Sequence, residues 1–259
     1  MIQLERLLRI MERLRDPRRG CPWDREQDWT TIAPHTIEEA YELADAIARA
    51  DVDAVRDELG DVLFQVVFQA RIAQERGLFD FEAVAATIAD KLERRHPHVF
   101  GDARIESAEA QTHAWDQHKR AERAARGQTG ALDGVTLGLP ALTRAFKLGS
   151  RAAKVGFDWP DAAGVLEKVQ EEVAELQCEL GAGDSGRVRE ELGDLLFALV
   201  QASRHLGLDA EAALREANAK FEGRFRHVEA LLARDGLTPT DVDMQRLDEL
   251  WDVAKRELG

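Results

Sequence analysis

Two stretches of this sequence carry acidic residues at spacings that suit metal chemistry. The first holds Glu38, Glu39 and Glu42, then Glu58 and Asp61; the second holds Glu171, Glu172 and Glu175, then Glu191 and Asp194. Spacings of three and four put the inner carboxylates on one face of a helix, and the short connection predicts a following helix that returns antiparallel beside it. Four carboxylates then converge across the pair. Like charges so close repel, and a hard divalent cation such as Mg²⁺ or Mn²⁺ would neutralise them. The competing explanation is a solvated acidic face. Four chosen positions are all acidic by chance only about once in a thousand at this composition, and the pattern occurs twice, which favours metal binding. A ferritin-like centre would need Glu-x-x-His, which is absent from both stretches.

Cations recur in the same way. Lys91 and Arg95, and again Lys220 and Arg224, stand four apart on one predicted helix face, suited to clamping phosphate oxygens. Trp115 with Lys119, and Trp251 with Lys255, pair an aromatic ring with a cation; a tryptophan there suits a core or interface anchor more than a surface that stacks a base. His96 and His98 flank Pro97 without full counterparts later in the chain, so they read as a structural turn. Cys21 and Cys178 lie far apart without C-x-x-C spacing and read as two reduced thiols.

These groups recur because the chain repeats itself. Residues 55–64, VRDELGDVLF, match residues 188–197, VREELGDLLF, at eight of ten positions with an offset of 133. IEEAYEL at 37–43 matches QEEVAEL at 170–176 with the same offset, whereas KLERRHPHV at 91–99 matches KFEGRFRHV at 220–228 with an offset of 129. A tandem duplication with a four-residue deletion in the second copy accounts for this pattern. Both copies keep a glycine, Gly60 and Gly193, between the Glu and Asp of the second motif, where a helix-interior glycine costs about 1 kcal/mol relative to alanine. A close backbone approach by a neighbouring helix or a ligand is the expected reason.

The elements that must position these residues are helices. Ala, Leu, Glu and Arg dominate, and Leu4, Leu7, Leu8, Met11 and Leu14 show helical spacing, so an all-α fold is predicted. Helices are expected near 3–15, 37–50, 53–76, 81–95, 107–124, 141–154, 161–181, 186–206, 210–233 and 243–257, with Thr36 and Glu39 as a capping box opening the second. The Gly, Thr and Pro of ARGQTGALDGVTLGLP break the periodicity, which divides the chain into modules at 1–125 and 141–259 joined by a linker at 126–140. Residues 62–76 and 195–206 are apolar on nearly every side, more than one small helix pair can bury, so a further bundle or a dimer partner is expected to cover them, with a dimer favoured. With 35 Lys and Arg against 49 Asp and Glu in 259 residues, the net charge of −14 argues against nucleic-acid binding, and an anionic ligand would need a bridging cation. The charged start and the lack of any long apolar run predict a soluble cytoplasmic protein with no membrane association.

The ordered motifs CPWDREQ at 21–27, EEAYEL at 38–43, DELGDVLF at 57–64, RRHPHVFG at 94–101, LDGVTLGLPAL at 132–142, AAKVGFDW at 152–159, EEVAEL at 171–176 and EELGDLLFAL at 190–199 resemble the MazG family of nucleoside triphosphate pyrophosphohydrolases, in its two-copy bacterial form. The resemblance implies tandem four-helix-type modules acting as a homodimer, with Mg²⁺ at the EExxE and ExxD carboxylates. The implied metal ligands are Glu172, Glu175, Glu191 and Asp194, with Glu39, Glu42, Glu58 and Asp61 in the first copy. It further implies Lys220, Arg224, Trp251 and Lys255 near the nucleotide, with Lys91, Arg95, Trp115 and Lys119 as counterparts. Activity in the family usually resides in the second copy, although no ligand position is lost in the first. The implied reaction is attack of a metal-activated water on the α-phosphorus, releasing pyrophosphate, with Glu171 or Glu172 accepting the proton. Two other readings compete: a non-catalytic helical module that binds nucleotides or a protein, and a narrower dUTP-type or phosphoribosyl-ATP pyrophosphohydrolase.

Overall fold

The computed structural model describes residues 2–104, 107, 110, 111, 114, 115, 117, 119, 122, 124 and 127–259. Among them the chain forms eleven α-helices, one short 3₁₀ turn and no strand, in two compact units, residues 1–118 and 119–259. In the first unit these are α1 (Ile2–Leu14), α2 (Pro22–Glu26), α3 (Trp29–Ala48), α4 (Val52–Glu75), α5 (Phe81–Arg95) and α6 (Pro97–Phe100). In the second they are α7 (Ala141–Ala153), α8 (Ala162–Ala182), α9 (Ser185–His205), α10 (Ala210–Arg234) and α11 (Met244–Leu258). The all-α expectation and the duplicated module are borne out. The helix expected over 107–124 falls mostly outside the described residues.

Each unit is organised on a helical hairpin, α3 with α4 and α8 with α9. The returning helix starts at an equivalent aspartate in both: Asp51 accepts the Ala54 N–H at 3.1 Å, and Asp184 accepts those of Gly186 at 2.9 Å and Arg187 at 3.3 Å. It ends at an equivalent glycine with positive φ, Gly77 or Gly207, where the next amide bonds back to Ala73 O at 3.0 Å or Ser203 O at 2.8 Å. α4 has 24 residues and α9 has 21, so three residues of the deletion come out of the helix itself. Buried Met11, Ile32, Val67, Phe68 and Ile72 pack α1, α3 and α4 together, whereas Val228, Leu232, Leu250 and Ala254 pack α10 on α11.

Three local expectations need correction. The second long helix begins at Trp29, well before residue 37, because Asp28 caps it: its Oδ1 accepts the N–H groups of Thr30 at 2.7 Å and Thr31 at 3.0 Å, and the Asp28 N–H returns to Thr31 Oγ1 at 2.9 Å. Thr36 is no cap. It sits inside α3, where its hydroxyl accepts Gln69 Nε2 of α4 at 2.8 Å. The short helices α2 and α6, each with proline in its first turn, were not foreseen. Finally, no neighbouring helix approaches Gly60 or Gly193; a Cβ at either would enter open space. The close approach is instead at Gly149 of α7, where a Cβ would lie 1.8 Å from Oε1 of the fully buried Gln201.

Candidate functional site

In each hairpin three of the four expected carboxylates come close together. In the first unit, one carboxylate oxygen each from Glu39 on α3 and Glu58 and Asp61 on α4 lie within 4.8 Å of one another. In the second, Glu172 and Glu175 on α8 and Glu191 on α9 do the same. The expected fourth member of each group, Glu42 or Asp194, is exposed and stands outside that close set, but both act on it electrostatically. Burial first, then repulsion from Asp61, Glu42 and Glu58, raises the Glu39 carboxyl above the usual range. Glu58 is raised likewise, by burial and then by Glu42 and Asp61. Glu191 is raised by burial and by Glu175, Glu172 and Asp194, with Arg187 pulling the other way.

The donor set fits a hard divalent cation. Oxygen ligands of Mg²⁺ lie about 2.1 Å from the ion and so at most about 4.2 Å apart, which the observed spread approaches. Glu172 is only 5% exposed, and its Oε2 is buried without a hydrogen-bond partner. An orphaned buried carboxylate oxygen is costly unless a cation meets it.

Lys168 and Arg187 also enter the second cluster. Lys168 Nζ bridges Glu171 at 2.7 Å and Glu172 at 2.8 Å, and Arg187 Nη2 reaches Glu191 at 3.1 Å. Sequence reasoning missed both, although each precedes its acid by four residues, a spacing that signals one helix face.

The remaining candidates gather on the helices after each hairpin. On the α10–α11 pair, Trp251 is half-buried against the Val228–Ala254 core, tilted onto Phe221 with centroids 5.2 Å apart, and borders an open apolar cleft of about 380 Å³. Arg224 donates to the Gly259 carbonyl at 2.9 Å and buries an unpartnered Nε, Lys255 pairs with Asp252 at 2.6 Å, and Lys220 is exposed. Among the described residues no ion pair or hydrogen bond joins these four to the acidic cluster. In the first unit Lys91 is half-buried and Arg95 buried on α5, and Trp115 meets the His96 ring edge-on at 6.1 Å. Lys119 is counted with the second unit. His96 closes α5 and opens α6, the structural turn expected of it.

Helical hairpins that converge carboxylates, present twice in one all-α chain, define the class of protein. A family model described as the MazG nucleotide pyrophosphohydrolase domain matches residues 27–100 and, a second time, residues 162–229. The chain is 53% identical to a nucleoside triphosphate pyrophosphohydrolase of Escherichia coli (strain K12) over 99% of its own length and 98% of that protein. It is 44% identical to a nucleoside triphosphate pyrophosphohydrolase/pyrophosphatase MazG of Thermotoga maritima, over 98% and 96% respectively. The chain belongs to the MazG family. No described helix is long and apolar enough to cross a membrane.

Proposed function

We propose that this chain is a cytoplasmic nucleoside triphosphate pyrophosphohydrolase, adding water at the α-phosphorus so that a nucleoside monophosphate and pyrophosphate leave. The observation that carries this reading is the close set Glu172, Glu175 and Glu191 with its orphaned Glu172 Oε2. Glu172, Glu175, Glu191 and Asp194 would hold Mg²⁺, or Mn²⁺ in its place, and Glu39, Glu42, Glu58 and Asp61 would hold a second ion in the first unit. Such an ion supplies charge neutralisation at the phosphates and a water of lowered pKa. Glu171 or Glu172 would accept that water's proton, and Lys168 Nζ lies between them, 2.7 Å from Glu171 and 2.8 Å from Glu172. Lys220, Arg224 and Lys255 would bind phosphate oxygens and Trp251 the base, with Lys91, Arg95, Lys119 and Trp115 as first-unit counterparts. The net charge of −14 supports a small anionic substrate carried by a metal over nucleic acid.

Exposed apolar residues recur at equivalent positions of the two hairpins, Leu59, Leu63 and Val66 against Leu192, Leu196 and Leu199. They support a homodimer, for which light scattering should give about twice the 29.0 kDa chain mass.

The test is product analysis with the eight standard nucleoside triphosphates, with Mg²⁺ or with EDTA. Monophosphate and pyrophosphate should appear only with metal, and Glu172→Ala and Asp194→Ala should each abolish turnover while circular dichroism stays unchanged. Full activity in both variants would sink the site assignment.

A further inference from the structure

The two clusters carry the same acids but opposite arrangements of counter-charge. In the second unit Lys168 and Arg187 occupy oxygens of Glu172 and Glu191, two of the three closely grouped carboxylates. In the first unit, the positions 133 residues earlier are His35 and Ala54. His35 Nδ1 lies 3.3 Å from Glu38, outside the close set, and Ala54 contributes only its amide to the Asp51 cap. Arg49 acts on Glu58 from a distance while paired with Asp45 and Asp51. Among the described residues, none of Glu39, Glu42, Glu58 and Asp61 has an ion-pair partner.

A cation bonded to a ligand carboxylate opposes a metal ion twice, by occupying its lone pairs and by repelling the incoming charge. Lys168 also holds Glu171 at 2.7 Å and Arg187 also holds Glu190 at 2.8 Å, so both stay beside the cluster when a ligand oxygen is given up, and a polyphosphate arriving with the ion supplies a more highly charged anion to draw them off. We propose that the two units load metal by different routes: the first takes a free divalent ion, whereas the second, closed by its own Lys168 and Arg187, takes the ion together with a polyphosphate anion. This rests on the reading of both clusters as metal sites.

The test is Mn²⁺ binding by the full-length chain, followed as loss of the free-ion EPR signal. Wild type should show a tight and a weak class, with only the weak one strengthened by a non-hydrolysable α,β-methylene nucleoside triphosphate. Glu58→Gln should remove the tight class and Glu191→Gln the weak one. The double variant Lys168→Met/Arg187→Met should tighten the weak class about tenfold or more without nucleotide. Conversely, His35→Lys/Ala54→Arg should weaken the tight class, which guards against misfolding as the cause of either change. Two equal classes in wild type, unchanged by either double variant, or loss of the tight class in Glu191→Gln, would overturn the proposal while leaving the metal sites standing. If neither Glu58→Gln nor Glu191→Gln reduces the number of ions bound, the metal-site reading fails and the proposal with it.

Discussion

Among the described residues the first hairpin leaves its clustered acids Glu39, Glu58 and Asp61 without an ion pair, and the second threads two cations among the equivalent group, although both are built on one capped scaffold. Duplication has preserved what the backbone dictates: the aspartate caps Asp51 and Asp184, the glycine-closed ends at Gly77 and Gly207, and the spacing that converges the carboxylates. What differs is how repulsion is relieved. The first cluster leaves Glu39 and Glu58 only half-buried and without an ion pair among the described residues, whereas the second buries Glu172 and Glu191 and spends side chains on pairing them; burial and like charge raise the Glu39, Glu58 and Glu191 carboxyls alike. The capped hairpin can therefore be inherited while the third close carboxylate, Asp61 in one unit and Glu175 in the other, and the electrostatics of the site diverge.

Stability offers three ways to sharpen the contrast. In the second unit a polar chain runs from the buried Gln201 out to Asp158: Gln201 Nε2 donates to Ala145 O at 3.0 Å, Arg204 Nε to Gln201 Oε1 at 2.9 Å, and Arg204 with His205 grips Asp158; the first unit instead buries Arg15 against Glu75 at 2.8 Å. Gly149→Ala drives a methyl into Gln201 and should cost the second unit about 1–3 kcal/mol, seen in chemical denaturation as an earlier transition for that unit alone. A single unshifted transition would show that Gln201 can move aside.

Asp158 gives the next effect. Hydrogen bonding from Arg204, opposed by burial and helped by His205, holds its carboxyl at about 2, below its ordinary 3.8. A depressed carboxyl contributes stability above its unfolded value and loses it as pH falls through the folded one, so this contribution should disappear between about pH 4 and pH 2. Asp158→Asn should lower stability at pH 7 by about 1–2 kcal/mol and flatten that acid-side loss in thermal melts. The smallest expected effect is a gain. Gly60→Ala and Gly193→Ala meet open space, so each should stabilise the metal-free protein by about 0.5–1 kcal/mol. A loss at either position would point to a close approach made only in an assembly or with ligand.

Much of this was legible from spacing. Apolar periodicity placed most long helices, because an amphipathic stripe records which face is buried. The acidic clusters were legible because residues three and four apart share a helix face, and the repeat located the partner helix. The start of α3 was not, since Thr36 and Glu39 imitate a capping box and Pro34 suggests that the helix has yet to begin; Asp28 wins by satisfying two amides at once. Lys168 and Arg187 were visible as i−4 neighbours, but such pairs are ordinary on helix surfaces, and only burial of Glu172 and Glu191 distinguishes them. The Gly149–Gln201 contact joins helices far apart in the chain, and no local pattern encodes it.

The three residues missing from α9 also limit how far the units are interchangeable. At 1.5 Å and 100° per residue, their loss shortens the hairpin by about 4.5 Å and turns its exit by about 60° from a full number of turns. A chimera that grafts one hairpin into the other unit would keep its carboxylates in register at the capped end. At the far end it would launch the next helix in the wrong direction, so the natural seam for recombining these units lies outside the hairpin.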